Sequence, residues 1–304
     1  MTPRVSAVVV SQGAVALLER QLPALRAEME GRAAGDEIVV VDASGVAALA
    51  EWMPEHFPDV GLVTCEAGEG PAAALQRGVV AARGELVLVL EPTALLRTGS
   101  LAPLVAALAD PEVVAAGPRA VDESGQALPA PVLVVSDGRL RPAGDPAGHG
   151  DEAPRPVPFL RAAFLARREE LAGTGALDPL FETWSCAFLD HGIAAWRAGH
   201  RIVEVGTARV ARLSAPVGPP PELERAAEEK GGLLLYWKFL DVRQDASDHL
   251  ATLWRDALDA ASSGRREELI WMALALQELP RVDRSRRSLG RARRRLEQVL
   301  RVGR

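Results

Sequence analysis

The chain has 304 residues, a formal charge of −6, 48% hydrophobic and 25% charged residues, and two cysteines, Cys65 and Cys186. That length suits one large α/β domain with a substantial appendage. The cysteines are too few and too far apart for a disulfide framework or a zinc site, and no apolar run approaches the roughly 20 residues that cross a bilayer. Residues 281–304 hold ten arginines against Asp283 and Glu297, which leaves −14 on the rest. An acidic body with a basic tail argues against nucleic-acid binding, which spreads positive charge over a folded face.

The start, MTPRVSAVVV, enters a strand without the layout of a signal peptide, so a cytoplasmic location is expected. Val5 to Val10 is an apolar, β-branched-rich run of the kind found in strands buried on both faces. Gly13 ends it, and Val15, Leu18, Leu22 and Leu25 recur at helical spacing. A second buried strand, Glu37 to Val41, closes on Asp42-Ala43-Ser44-Gly45. A helical segment with Leu49 and Trp52 follows, then a short strand at Val60 to Cys65. GEGPAAALQRGVVAARG (68–84) reads as a glycine-rich loop, a helix and a Gly84 stop. Leu86 to Leu90 is the next strand, running into Glu91-Pro92-Thr93. A helix over 99–109 and a strand near Val113 to Ala116 come next.

Residues 122–158 are rich in Pro, Gly and Asp and form a variable surface excursion with one hairpin, Val132 to Leu140. Order resumes at FLRAAFLARREEL and ALDPLF, then a helix from Phe188 to Ala198 ended by Gly199, then the strand HRIVEVG. PVGPPPEL (216–223) reads as a linker, and three or four helices complete the chain. Strands alternating with helices predict an open, mostly parallel α/β sheet. Ligands of such sheets bind beyond the carboxyl ends of the strands, where Asp42 and Glu91 stand. For Asp42 the alternative is a cap on a turn.

Over residues 4–214 the order of these pieces resembles family-two glycosyltransferases of the GT-A fold. VSAVVVS resembles the first strand, ending at Ser11. EIVVVDAS resembles the second, whose terminal acid, here Asp42 beside Ser44, holds the nucleotide base. GPAAALQRGVVAARGELVLVLE resembles the helix and strand that lead to the metal-binding acidic triplet, with Arg77 and Glu91 in place. FLARREEL, LDPLF and RAGHRIVEV resemble the acceptor-side segment, the region of the catalytic acid and the strand after it.

The resemblance implies a nucleoside-diphosphate sugar donor, a glycan or lipid-linked acceptor, and a divalent Mn or Mg ion held by carboxylates. Such an ion neutralises the leaving diphosphate, and a carboxylate base takes the acceptor proton.

The chain departs from that pattern twice. Of the triplet only Glu91 remains, with Pro92 and Thr93 beside it. The base positions, counted from either flank, fall on Cys186-Ala187 or Ala187-Phe188, neither of which supplies a carboxylate. Asp190 is then the first candidate base, with Glu182 in reserve and His191 a further candidate. Arg77, Arg167, Arg168 and Arg212 form a candidate clamp that neutralises a diphosphate without metal. Two functions follow: an inverting glycosyltransferase, or a non-catalytic binding or scaffold protein on the same fold.

The last quarter reads as packed helices in which Trp237, Trp254 and Trp271 recur every 17 residues, as a repeat or as packing tryptophans. In the tail, Leu289, Leu296 and Leu300 lie at helical spacing beneath a dense arginine face. That is the form of a helix adsorbed on anionic lipid. A tail folded back onto the acidic body is the alternative.

Overall fold

The computed structural model describes residues 2–66, 68–136, 138–145, 153–172, 177–214, 221–240 and 242–303. The first part runs β1 (Val5–Ser11), α1 (Val15–Met29), β2 (Glu37–Asp42), α2 (Trp52–His56), β3 (Gly61–Thr64), α3 (Pro71–Ala81) and β4 (Leu86–Leu90). The middle adds β5 (Ala94–Leu96), α4 (Leu101–Ala107), β6 (Val113–Val121), β7 (Ala130–Ser136), β8 (Arg139–Asp145), β9 (Arg155–Pro156), β10 (Ala163–Arg167), α5 (Arg168–Ala172), α6 (Trp184–Ala198) and β11 (Arg201–Arg212). Helices α7 (Pro221–Phe239), α8 (Val242–Ser262), α9 (Arg266–Gln277), α10 (Leu279–Ser288) and α11 (Leu296–Val299) follow. Among the described residues no helix is long and apolar enough to cross a membrane.

The strands order β3-β2-β1-β4-β10-β6-β11-β5, with β9 on the side of β11. Strands β1 to β4 pair in parallel, as does β6 with β11. The expected mostly parallel α/β sheet is therefore present, with antiparallel strands at its centre and, as β5 and β9, beside β11. Strand β10 lies between β4 and β6, antiparallel to both. Alternate residues of the buried runs serve opposite faces. Val8, Val10, Val39 and Val41 pack with α3 and α6, and Val5, Ala7, Val9 and Val40 pack with α1 and α4.

Two glycines of the sequence motif are required by close packing. A Cβ on Gly78 would stand 2.3 Å from Val8 Cγ1, and one on Gly84 would stand 2.6 Å from the Ser6 nitrogen.

The excursion after residue 121 is less peripheral than its composition predicts. The expected hairpin is β7–β8, and its Leu133 and Leu140 are buried in the same core as α7; residues 146–152 lie outside the described residues. The linker expected at 216–223 likewise lies outside them as far as residue 220. Helix α7 sinks Leu233, Leu234, Leu235 and Phe239 into the core that holds Phe164 and Phe188. The tryptophans at 17-residue spacing are not equivalent, since Trp237 and Trp271 are buried while Trp254 is 69% exposed.

The tail is not one amphipathic helix. Helix α10 ends at Ser288, Leu289 is extended, and only a short turn of helix, α11, follows. Leu296 and Val299 are buried, and Leu289 and Leu300 pack against the core. Arg294 stacks on Trp196 at 4.8 Å, and Arg286 donates to the carbonyls of Trp237 and Leu240. The leucines expected to face lipid thus face the protein, because the chain breaks where a continuous stripe needs helix.

Candidate active site

A crevice of about 910 Å³ opens beyond the carboxyl ends of β1 and β4. Its floor is the turn Glu91-Pro92-Thr93. Buried Gln21 of α1 holds this turn from below, its Nε2 donating to the carbonyls of Pro92 (3.0 Å) and Ala94 (2.7 Å). From the other side Leu213 N–H donates to the Thr93 carbonyl at 2.8 Å. Strand β5 then doubles back against the end of β11, placing Ala94 opposite Arg212. This pairing brings Arg212 Nη2 to 3.9 Å from Glu91 Oε2.

Glu91 is buried and engaged. Its N–H donates to the Ala162 carbonyl at 2.8 Å, and its Oε1 accepts the Ala162 N–H at 3.2 Å. Ala162 adopts φ +62 to make this exchange, a left-handed conformation that costs a non-glycine residue roughly 1–2 kcal/mol. Burial pushes the Glu91 carboxyl above the usual carboxylate range, with Arg212 opposing. Arg161, two residues before β10, lines the same wall. Burial works against its charge and Glu204 and Glu91 favour it, so it remains a cation, as an arginine does.

The opposite wall is the first turn of α6 and one face of α7. Thr183 caps α6, its hydroxyl accepting the Cys186 N–H at 3.2 Å. Glu182, Ser185 and Phe188 line the crevice from this side, with Glu224 and Glu228 of α7. Glu182 takes Lys230 Nζ at 2.7 Å.

The remaining candidates divide by location. Ser11, Asp42 and Ser44 gather at the ends of β1 and β2, where each organises backbone. Ser11 Oγ accepts the Gly13 N–H, and Asp42 accepts the N–H of Ser44 at 3.0 Å and of Leu49 at 3.2 Å. Ser44 Oγ accepts the Val46 N–H. The turn-capping role of Asp42 is therefore real, although each carboxylate oxygen keeps a further lone pair. Arg77 lies on the exposed face of α3 and is bound in a fork by Glu69.

Arg167 and Arg168 do not join a clamp. Because β10 runs antiparallel, its far end pairs with Leu86, at the start of β4. Arg167 there donates to the carbonyls of Val113 and Leu108, and Arg168 is exposed beside it. The same reversal delivers Arg161 to the crevice, a residue that sequence reasoning missed. Only the direction of β10 could have revealed it.

Asp190 is also outside the crevice. Two residues beyond Phe188 is about 200° around a helix, so its side chain points to the far side of α6. Lys238 Nζ lies 2.6 Å from Asp190 Oδ1 and 2.8 Å from Asp178 Oδ2. Burial, against the pull of Lys238, raises the Asp190 carboxyl to about 6. His191 is buried and stacked on Phe164, ring centroids 5.4 Å apart.

The residues at Glu91 do not fit a divalent metal. A hard cation takes several oxygen ligands, whereas Glu91 is a single carboxylate already shared between a backbone N–H and an arginine. Among the described residues no group of three or more metal-ligating side chains forms.

Residues 6–155 match the model of glycosyl transferase family 2. No curated protein matches the chain. Among solved structures it is similar to GalNAc-T7 with UDP, GalNAc and Mn2+ (16% identity, TM-score 0.54), covering 80% of this chain but only 52% of that one. It is also similar to the mannosyltransferase PcManGT from Pyrobaculum calidifontis with GDP-Man and Mn2+, at 20% identity and TM-score 0.52, covering 95% and 85% of the two chains. S. aureus TarS 1-349 matches at 13% identity and TM-score 0.55, covering 93% and 83%. Residues 6–155 are therefore similar to glycosyl transferase family 2, and the chain has the GT-A fold of these solved structures.

Proposed function

We propose that the chain transfers a sugar from a nucleoside-diphosphate donor to a hydroxyl of a glycan or lipid-linked acceptor, with inversion at the anomeric carbon. The observation that carries this is the pairing of Arg161 and Arg212 around Glu91 in the crevice. A nucleoside diphosphate leaves as a multiply charged anion, and arginine contacts to phosphate are strong and directional. In a half-enclosed crevice they are stronger than in water. The similar structures solved with UDP or GDP-Man support a nucleotide-sugar donor.

Ser11, Asp42 and Ser44 are the candidate contacts to the nucleotide, and Arg77 becomes one if it releases Glu69. The two arginines bear on the diphosphate. Glu182 and Glu228 face the space left for the acceptor.

A second reading, nucleotide binding without transfer, is favoured by the replacement of the triplet acids with Pro92 and Thr93 and by the burial of Asp190 against Lys238. Thermal unfolding with UDP- and GDP-sugars, with and without Mn2+, tests donor binding. A ligand at 100 Kd stabilises by ~2.7 kcal/mol. Binding accompanied by nucleoside diphosphate release supports transfer; binding without release, across a broad acceptor panel, supports the second reading. No binding to any donor overturns both.

A further inference from the structure

Resting on the transfer reading, the crevice must offer a carboxylate free to take the acceptor proton. Among the described residues four carboxylates line it: Glu91, Glu182, Glu224 and Glu228. Glu91 is shared between the Ala162 N–H and Arg212. Glu182 holds Lys230, and its side chain is 50% exposed. Glu224 is exposed on the rim.

Glu228 differs from all three. It is half-buried on α7, and no cation pairs with it among the described residues. Its hydrogen-bonding neighbours are the neutral groups Thr183, Ser185 and Cys186, all on the first turn of α6. Its Oε2 lies 3.7 Å from Cys186 Sγ, and its charge is felt at Glu91.

We propose that Glu228, contributed by the helical extension, is the general base of the transfer. Its position against Cys186 puts a carboxylate at a turn of α6 that has none of its own. Cys186 is small and buried, so it leaves room for the Glu228 carboxylate and sets no like charge against it. Hydroxyl and thiol donors orient the carboxylate without quenching it by an ion pair. Burial pushes the Glu228 carboxyl above the usual carboxylate range, which strengthens it as a base in its ionised form.

The acceptor oxygen forms a bond to the anomeric carbon while its proton passes to Glu228. The anomeric C–O bond to the diphosphate breaks, and its electron pair leaves on the diphosphate oxygen. The products are the glycoside, the nucleoside diphosphate and protonated Glu228, which returns the proton to water. Water itself serves as acceptor in a slow side reaction by the same steps.

The test uses the full chain with GDP-mannose and UDP-N-acetylglucosamine, reading donor-induced thermal shift and nucleoside diphosphate release in water. Glu228→Gln keeps the shape and the capacity to accept hydrogen bonds. It is expected to retain the donor-induced shift and to lose release at least ~10²-fold. In Glu228→Ala, added formate is expected to restore part of the release, which a purely structural role for Glu228 would not allow. If the Gln variant fails to unfold cooperatively, the formate response of the Ala variant and the residual release of Glu228→Asp decide the matter.

Wild-type release in Glu228→Gln, or loss in Glu182→Gln alone, overturns the assignment and leaves the transferase reading standing. Wild-type donor binding without release of nucleoside diphosphate overturns the transfer reading, and this assignment with it.

Discussion

Arg212 Nη2 stands 3.9 Å from Glu91 Oε2 although 121 positions separate the two residues. The contact is made by β5, which turns back from the end of β4 to pair with the end of β11. A cation belonging to the chain therefore lies beside the strand-end acid on the floor of the crevice. Removing it is expected to matter more than removing a metal. Arg212→Ala and Arg161→Ala should each weaken nucleoside diphosphate binding by roughly tenfold or more, since hydrogen bonds between charged groups contribute about 1.5–3 kcal/mol. EDTA should change wild-type affinity by less than about tenfold, or ~1.4 kcal/mol. Titration calorimetry with UDP and GDP measures both.

Arg167→Ala provides the contrast. Its guanidinium binds the carbonyls of Val113 and Leu108 at the opposite edge of the sheet. The variant should lose on the order of 1–3 kcal/mol of stability with nucleotide affinity unchanged. Urea unfolding beside the same calorimetry checks this, and a tenfold loss of affinity would restore Arg167 to a clamp.

Asp42→Ala is expected to cost stability before it costs binding. The half-buried N–H of Ser44 and the buried N–H of Leu49 lose their acceptor, and a buried donor left unsatisfied costs about 1–3 kcal/mol. Chemical unfolding without ligand should show a lower midpoint and an unchanged slope. A variant as stable as wild type would mean that the loop after β2 finds other acceptors.

The Asp190 carboxyl provides a pH-dependent prediction. Its folded value of about 6 lies above its usual value of 3.8, so the folded state holds this proton where the unfolded state has released it. The contribution is therefore most favourable below about pH 4 and falls as pH rises to about 6. The lowered Asp178 carboxyl, beside the same Lys238, acts in the opposite sense. Comparing wild type with Asp190→Asn leaves Asp178 common to both. The stability of wild type relative to that variant should decline by on the order of 2 kcal/mol between pH 4 and 6.5. Unfolding at several pH values would show a constant difference if Asp190 does not titrate there.

Gly78→Ala tests the seat of α3 on the sheet. An added methyl meets Val8 and Val41 at 2.3 and 2.8 Å, and overpacking of this kind costs about 1–3 kcal/mol. A variant at wild-type stability, measured by urea unfolding, would show that the helix can lift.

The amino-acid sequence by itself determined what depends on neighbouring residues. The apolar runs at β1, β2 and β4, the stop at Gly84 and the acids at two strand ends follow from periods of two and 3.6 residues and from turn chemistry. These placed Glu91 and Asp42 at the carboxyl edge, where an α/β sheet binds its ligands.

What the sequence did not carry is direction and phase over long range. Whether β10 ran with its neighbours or against them decided that Arg161 and not Arg167 reached the crevice, and no local pattern encodes that sign. The phase of α6 turned Asp190 away toward Lys238, although its distance along the helix was suitable. The packing of α7 against α6 delivered Glu228 to Cys186 from 42 residues away. A contact of that kind depends on how two helices meet in a shared core, and only the tertiary structure decides it.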